Sequence, residues 1–175
     1  MVAISKVLMT IALLGLIVVP GSRANTIQSP EFSFRALDGP NVNADSVRGE
    51  VVVFAFGASW LPLTRNQMEG LKKLADQYAG RGVAVYWVST DSDTAKSKNF
   101  VDDNQLRELG QKYKITVLRD PDGAVSKRLG IDQVPTTIIL NKQGQIAASV
   151  NGIDTSPTAD LAKQLAEKLD TILKG

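Results

Sequence analysis

The stretch VVVFAFGASWLPLTR, Val51–Arg65, decides the fold of this chain. Its first six residues, Val51 to Phe56, are all apolar, mostly β-branched or aromatic, with no polar position between them. Such a run fits a central strand covered on both faces, not an edge strand with one wet side. Gly57-Ala58-Ser59 interrupts it, Pro62 prevents the strand from resuming, and the apolar spacing then changes to three and four. Met68, Leu71, Leu74, Ala75 and Tyr78 share one stripe, which predicts an amphipathic helix over 65–78, ended by Gly80 and Gly82. Thr64 stands where a helix N-cap is expected.

Working outward, 31–37 alternates Phe32, Phe34 and Ala36 with polar neighbours and predicts a half-buried strand, turned by Asp38-Gly39-Pro40. Residues 41–47 return as a short second strand or turn, so these two form an N-terminal β-hairpin. Val83 to Ser89 predicts a second buried strand, and Thr90-Asp91-Ser92-Asp93 caps a helix expected over 94–101. A further helix is expected over 105–113, then Val117-Leu118, the turn Asp120-Pro121-Asp122-Gly123 and a short helix over 124–129. Residues 135–140 and 145–150 pair as antiparallel strands around Asn141-Lys142-Gln143-Gly144, and Pro157 opens a last helix over 158–173. The order β-β-β-α-β-α-α-β-β-α predicts an α/β fold of three layers, a central mixed sheet flanked by helices.

The 175 residues suit one domain, and 43% hydrophobic with 22% charged residues excludes a disordered chain. Residues 1–24 stand apart. Lys6 precedes the apolar run Val7–Val19, Pro20-Gly21 breaks it, and Ser22 and Ala24 are small residues suited to a cleavage site. Thirteen apolar residues are fewer than the ~20 a membrane span needs, so 1–24 is read as a signal peptide, with an uncleaved anchor as the alternative. Either predicts an extracytoplasmic, periplasmic location for a domain over 25–175. Cleavage removes Lys6 and Arg23 from 20 basic residues, leaving 18 against 18 acidic ones. That balance gives no reason to expect nucleic acid as a partner, and the membrane is one only if the N-terminal segment stays attached.

The chain has no cysteine and no histidine. Disulfides, thiolate nucleophiles, imidazole ligands and Ser-His or Cys-His arrangements are therefore absent, and no metal or other cofactor is expected. Asp91 and Asp93, at the C-terminal end of a strand, are expected as helix cap and solvated loop and not as an acid–base pair. Lys72, Lys73, Lys96 and Lys98 and the pair Asp102-Asp103 are expected on solvated faces.

Four segments in this order, PEFSFRALDG, VRGEVVVFAFGASW, VLRDPDGAVSKRLGI and VPTTIILNKQGQI, give the chain its resemblance to the TlpA-like, redoxin-type branch of the thioredoxin superfamily, extracytoplasmic thiol–disulfide oxidoreductases. The resemblance covers most of 30–150 and implies a thioredoxin-like fold. It also implies an active segment Trp-Cys-x-x-Cys-Arg at the start of the first helix. Trp60 and Arg65 match that segment, while Leu61 and Thr64 hold the two cysteine positions. Gly57 stands where an aromatic is usual, Gln67 where Glu is usual, Glu69 where a kinking Pro is usual, and Ala55 where many relatives carry a buried polar group.

Leu61 cannot ionise, so a helix N-terminus has nothing to activate there, and the Thr64 hydroxyl has no neighbouring base. The chain is thus expected to be a degenerate member that has lost its redox and accessory chemistry. What the resemblance leaves is Pro135 in the position of a cis-proline, whose preceding backbone pairs with an extended peptide. The candidate binding residues are Trp60, Leu61, Pro62, Leu63, Val134 and Pro135, with an extended peptide or an envelope protein as partner. Whether Leu61 is exposed or folds inward stays open. Two alternatives also stand: a thiol–disulfide oxidoreductase that borrows sulfur from a partner, and an altered copy of an active parent.

Overall fold

The computed structural model describes residues 29–154, 156 and 160–175. Among the described residues seven strands and four helices follow in order: β1 (Ser33–Ala36), β2 (Val42–Asn43), β3 (Val51–Gly57), α1 (Thr64–Tyr78), β4 (Val83–Ser89), α2 (Asp103–Tyr113), β5 (Thr116–Arg119), α3 (Ala124–Arg128), β6 (Thr136–Leu140), β7 (Ile146–Asn151) and α4 (Leu161–Lys174). They form one mixed sheet in the order β2-β1-β5-β4-β3-β6-β7. β3 lies inside it, parallel to β4 and antiparallel to β6. The expected N-terminal hairpin is present, and β1 ties it to the sheet by antiparallel pairing with β5.

The all-apolar run of β3 is explained by its two covered faces. Val51, Val53 and Ala55 face Met68, Leu71, Leu74 and Tyr78 of α1, Leu106 of α2, and Leu161, Leu165 and Leu169 of α4. Val52, Phe54 and Phe56 face Phe32 and Phe34 of the hairpin region and Val125 and Leu129 of the α3 segment. Phe54 is in edge contact with Phe32, ring centroids 5.2 Å apart, and lies 5.6 Å from the Tyr86 ring. All seven residues of β3 are buried, so every second side chain serves a different core. α1, α2 and α4 make one outer layer, the sheet the middle, and α3 with the hairpin aromatics the other. This is the three-layer α/β fold.

The elements depart from the sequence reading in several places. Residues 94–101 form turns and no helix: Ser92 N–H donates to Asn99 O and Val101 N–H to Ser92 O, which folds the segment back on itself. Its apolar residues, Phe100 and Val101, are adjacent in the chain and cannot make a helical stripe. β5 then separates α2 from α3, where two consecutive helices were expected. The first four residues of β4 are only half-buried. The last helix starts at Leu161, because Asp160 accepts from Ala162 N and Lys163 N and caps it; Pro157 and Thr158 lie outside the described residues, as does the 1–24 segment. No helix among the described residues is long and apolar enough to cross a membrane.

Asp103 is not a simple solvated residue. Arg35 donates to it twice, at 2.7 and 3.1 Å, and the buried Arg119 brings its Nε to 3.5 Å. The Arg35 hydrogen bonds hold the Asp103 carboxyl below the usual carboxylate range, outweighing its partial burial. A depressed folded-state pKa stabilises the protein above the unfolded value, and the contribution is lost as pH falls through the folded one. The wild type should therefore exceed Asp103→Asn in urea midpoint at neutral pH. That gap should close as the pH drops below about 4, and it should stay modest because Asp103 is 37% exposed. A gap unchanged at acid pH would refute the ion-pair origin.

Candidate functional site

β3 delivers the chain to the C-terminal edge of the sheet, and the residues from Ala58 to Leu63 turn it into α1. The turn is built on one acceptor. Ala58 O receives Leu61 N–H at 3.0 Å and the Thr64 hydroxyl at 2.6 Å, while Leu61 O receives Thr64 N–H at 3.1 Å. Thr64 is consequently not the helix cap that its position suggests. It is the first helical residue and 5% exposed, and its hydroxyl points back into the turn. Leu63 precedes it in helical conformation (φ −83°, ψ −8°), so no extended capping residue is available and α1 begins without a side-chain cap.

Trp60 is 57% exposed, Pro62 is exposed, and Leu61 and Leu63 are half-buried. Leu61 is thus neither a free surface residue nor part of the core. The register of β3 with β6, Phe56 opposite Thr136, sets the Val134–Pro135 step beside the Gly57 end of β3. The Val134–Pro135 peptide is cis. Pro135 O accepts from Gly152 N–H at 2.8 Å, while no described residue hydrogen-bonds to the Val134 amide or carbonyl. Val134 also lines a largely apolar groove of about 520 Å³ with Thr90, Gly130 and Ile131. The residues proposed from sequence as a surface are thereby gathered on one edge.

Beneath this edge lies an arrangement the sequence reading missed. Gln67, 1% exposed, donates from Nε2 to Phe56 O at 3.2 Å and accepts at Oε1 from the indole N–H of Trp87 at 2.9 Å. A Cβ on Gly57 would come within 2.6 Å of Gln67 Oε1 and 2.9 Å of Trp87 Nε1. Gly57 is therefore required by the close approach of its backbone to this pair. Gly57 and Gln67 thus depend on each other. A neutral amide, hydrogen-bonded at both its nitrogen and its oxygen, occupies the space beneath the turn and no side chain larger than hydrogen fits above it. The strand-to-turn glycine was a visible signal; its pairing with Gln67, ten residues on, was not.

Asp91 and Asp93 are separated by the fold. Asp93 is exposed, whereas Asp91 is fully buried and caps no helix. Its carboxylate accepts from Ser59 N–H at 2.9 and 3.1 Å, from the Ser59 hydroxyl at 3.1 Å and from the Ser89 hydroxyl at 2.9 Å. Arg119 donates to Ser89 Oγ at 3.3 Å and supplies the nearby positive charge. Asp91 thus fastens the residue just before Trp60 to the end of β4. At this edge the chain offers hydroxyls bonded to carbonyl and carboxylate oxygens, an exposed indole and open backbone. No sulfur is present, and no base lies against the Thr64 hydroxyl.

The AhpC/TSA family model matches residues 27–149. The chain belongs to the AhpC/TSA family. Within it, the chain is 29% identical over 145 residues to the thioredoxin-like protein YneN of Bacillus subtilis, covering 82% of this chain and 77% of that one. It is 25% identical over 145 residues to the thiol-disulfide oxidoreductase ResA of Bacillus thuringiensis subsp. konkukian, covering 83% and 76%. Its fold is similar to that of a secreted Mycobacterium tuberculosis disulfide oxidoreductase, with a TM-score of 0.61 at 21% identity, covering 80% of this chain and 95% of the other. This AhpC/TSA member is a TlpA-like thioredoxin-fold protein without cysteine.

Proposed function

We propose that this protein is an exported thioredoxin-fold module without dithiol redox activity, which binds an extended polypeptide or an envelope protein across Trp60, Leu61, Pro62, Leu63, Val134 and Pro135. The observation that carries the reading is the open Val134 amide and carbonyl at the sheet edge where β3 leads into the exposed Trp60 turn. A backbone with free donor and acceptor just before β6 suits main-chain pairing with an extended segment. An exposed Trp beside half-buried leucines supplies the apolar anchor that such contacts need. Export rests on the character of residues 1–24. Loss of redox chemistry rests on the absence of cysteine from the entire sequence.

The names of its relatives favour a second reading, thiol–disulfide exchange. That activity would need sulfur supplied by a partner. Two measurements separate them. In insulin reduction by dithiothreitol the protein should give the uncatalysed rate, and turnover above it would sink the non-redox reading. Against an array of unfolded ten-residue peptides, with Trp60 emission as the readout, Leu61→Asp should weaken binding about 10- to 100-fold by placing a charge in the apolar contact. Unchanged affinity in that variant would remove the patch from the binding surface.

A further inference from the structure

We infer that the segment folded back after β4, residues 92–101, is a second arm of the binding edge, whose lysines select a partner segment that is acidic where it reaches them. The inference rests on the binding reading of the Trp60 edge and adds to it a second contact and a charge. Strand order brings the parts together. β4, β3 and β6 are neighbours in the sheet, so the 92–101 segment, the Trp60 turn and the Val134–Pro135 step follow one another across one edge. Thr90 donates to Gly57 O from its N–H at 2.9 Å and from its hydroxyl at 3.1 Å, which pins the end of β4 to the end of β3. Thr90 also shares the apolar groove with Val134, so the groove leads to the arm two residues later.

The large apolar side chains exposed among the described residues are Trp60, Phe100 and Ile146. Single exposed apolar residues are ordinary, but two of these stand on adjacent connections of the same edge. The arm that presents Phe100 is ordered without a partner. Within it Ser97 N–H reaches Thr94 O at 2.8 Å, and Phe100 N–H reaches Ser97 O at 3.2 Å. At its foot the buried Arg119 donates to Val101 O at 3.4 Å and to Ser89 Oγ at 3.3 Å. Ser89 donates in turn to Asp91, which holds Ser59. One guanidinium therefore fixes the arm and the Trp60 turn to the same buried cluster, and contacts preorganised in this way lose less entropy on binding.

Charge sets the class of partner. Lys96 and Lys98 are exposed on the arm and, among the described residues, in no ion pair. The acids beside them are engaged. Asp102 accepts from Asn104 N–H and Gln105 N–H and caps α2. Asp103 and, more weakly, Asp93 raise the Arg35 pKa, so Asp93 sits within electrostatic reach of that arginine. Asp132 lines the groove on the Val134 side. The edge is thus positive at the arm and negative at the groove. An extended segment that lays apolar side chains on Trp60 and Phe100 is matched by carboxylates over Lys96 and Lys98.

Fluorescence anisotropy of labelled ten-residue peptides tests this. The peptides share one apolar centre and carry two Glu, two Gln or two Lys at each end. At about 20 mM salt the Glu peptide should bind at least about fivefold more tightly than the Gln peptide, an advantage lost at about 0.5 M salt. Lys96→Gln combined with Lys98→Gln should abolish that advantage and leave the affinity for the Gln peptide unchanged. Phe100→Ala should weaken all three peptides about three- to tenfold, with unaltered circular dichroism. Equal affinity for the three peptides, a preference for the Lys peptide, or arm variants without effect would overturn the inference. If Leu61→Asp still weakens binding in those cases, the Trp60 edge stands alone; if no peptide binds, both readings fall. Cosedimentation with phosphatidylglycerol vesicles that depends on Lys96 and Lys98, without any peptide preference, would overturn it in favour of a membrane surface.

Discussion

Gly57→Ala is expected to destabilise the fold by about 2–4 kcal/mol, read as a lower urea midpoint with little change in slope. The added methyl would sit 2.6 Å from Gln67 Oε1 and 2.9 Å from Trp87 Nε1, closer than any real contact allows. Neither neighbour can withdraw easily. Trp87 is fully buried in the α1-side core, and Gln67 is held at both ends of its amide. Relief by displacement would break the indole hydrogen bond or the bond to Phe56 O, and a buried polar group left unpaired costs about 1–3 kcal/mol.

The origin of the loss is separable by a double-mutant cycle. Gln67→Ala alone should cost about 1–3 kcal/mol, because Trp87 Nε1 and Phe56 O lose their partner. In that background the Gly57→Ala methyl has room, so its added cost should fall well below the cost in the wild type. Additive losses would show that Gly57 is needed for its backbone and not for the approach of Gln67. A Gln67→Glu change is a second probe. It offers an acceptor to Trp87 but no donor to Phe56 O, and should be destabilising.

Asp91→Ala is expected to cost about 2–4 kcal/mol and, more tellingly, to free the Trp60 turn. Four hydrogen bonds to the buried carboxylate disappear, leaving Ser59 N–H and two hydroxyls without their acceptor. Acrylamide quenching of Trp60 emission reads the second effect directly. Trp60 is already 57% exposed, so the change expected is greater mobility and a faster quenching rate, while Trp87 stays protected. Asp91→Asn should fall between, since one oxygen remains for Ser59 N–H while the new amide faces hydroxyls in place of an anion. A destabilised protein with unaltered Trp60 quenching would show that Asp91 serves the sheet alone. Weaker peptide binding in Asp91→Asn at unchanged stability would show that turn position matters for recognition.

Several of these consequences could be anticipated from the sequence. The uninterrupted Val51–Phe56 run implied a strand with two covered faces, and the stripe Met68, Leu71, Leu74, Tyr78 implied a helix on one of them. Both follow from local periodicity, which is carried by neighbouring residues. The same logic failed for 94–101, where polar, helix-compatible residues invited a helix that no apolar stripe could hold to the sheet. It failed again at Thr64, whose residue type suits a cap. The deciding quantity there was the helical conformation of Leu63, set by how the turn closes on Ala58 O.

By itself, then, the sequence determined the layers, the strand that organises them, and the absence of any thiol from Leu61, Thr64 or elsewhere. Those are properties of composition and short-range pattern. Only the tertiary structure decided that Gln67 lies beneath Gly57 against Trp87, that Asp91 reaches 32 positions back to Ser59, and that Val134 keeps an open backbone at the edge that carries Trp60. Each depends on residues far apart in the chain meeting where β3, β4 and β6 lie side by side. The spacing of residues along one strand carries no record of what its neighbours bring to the same edge.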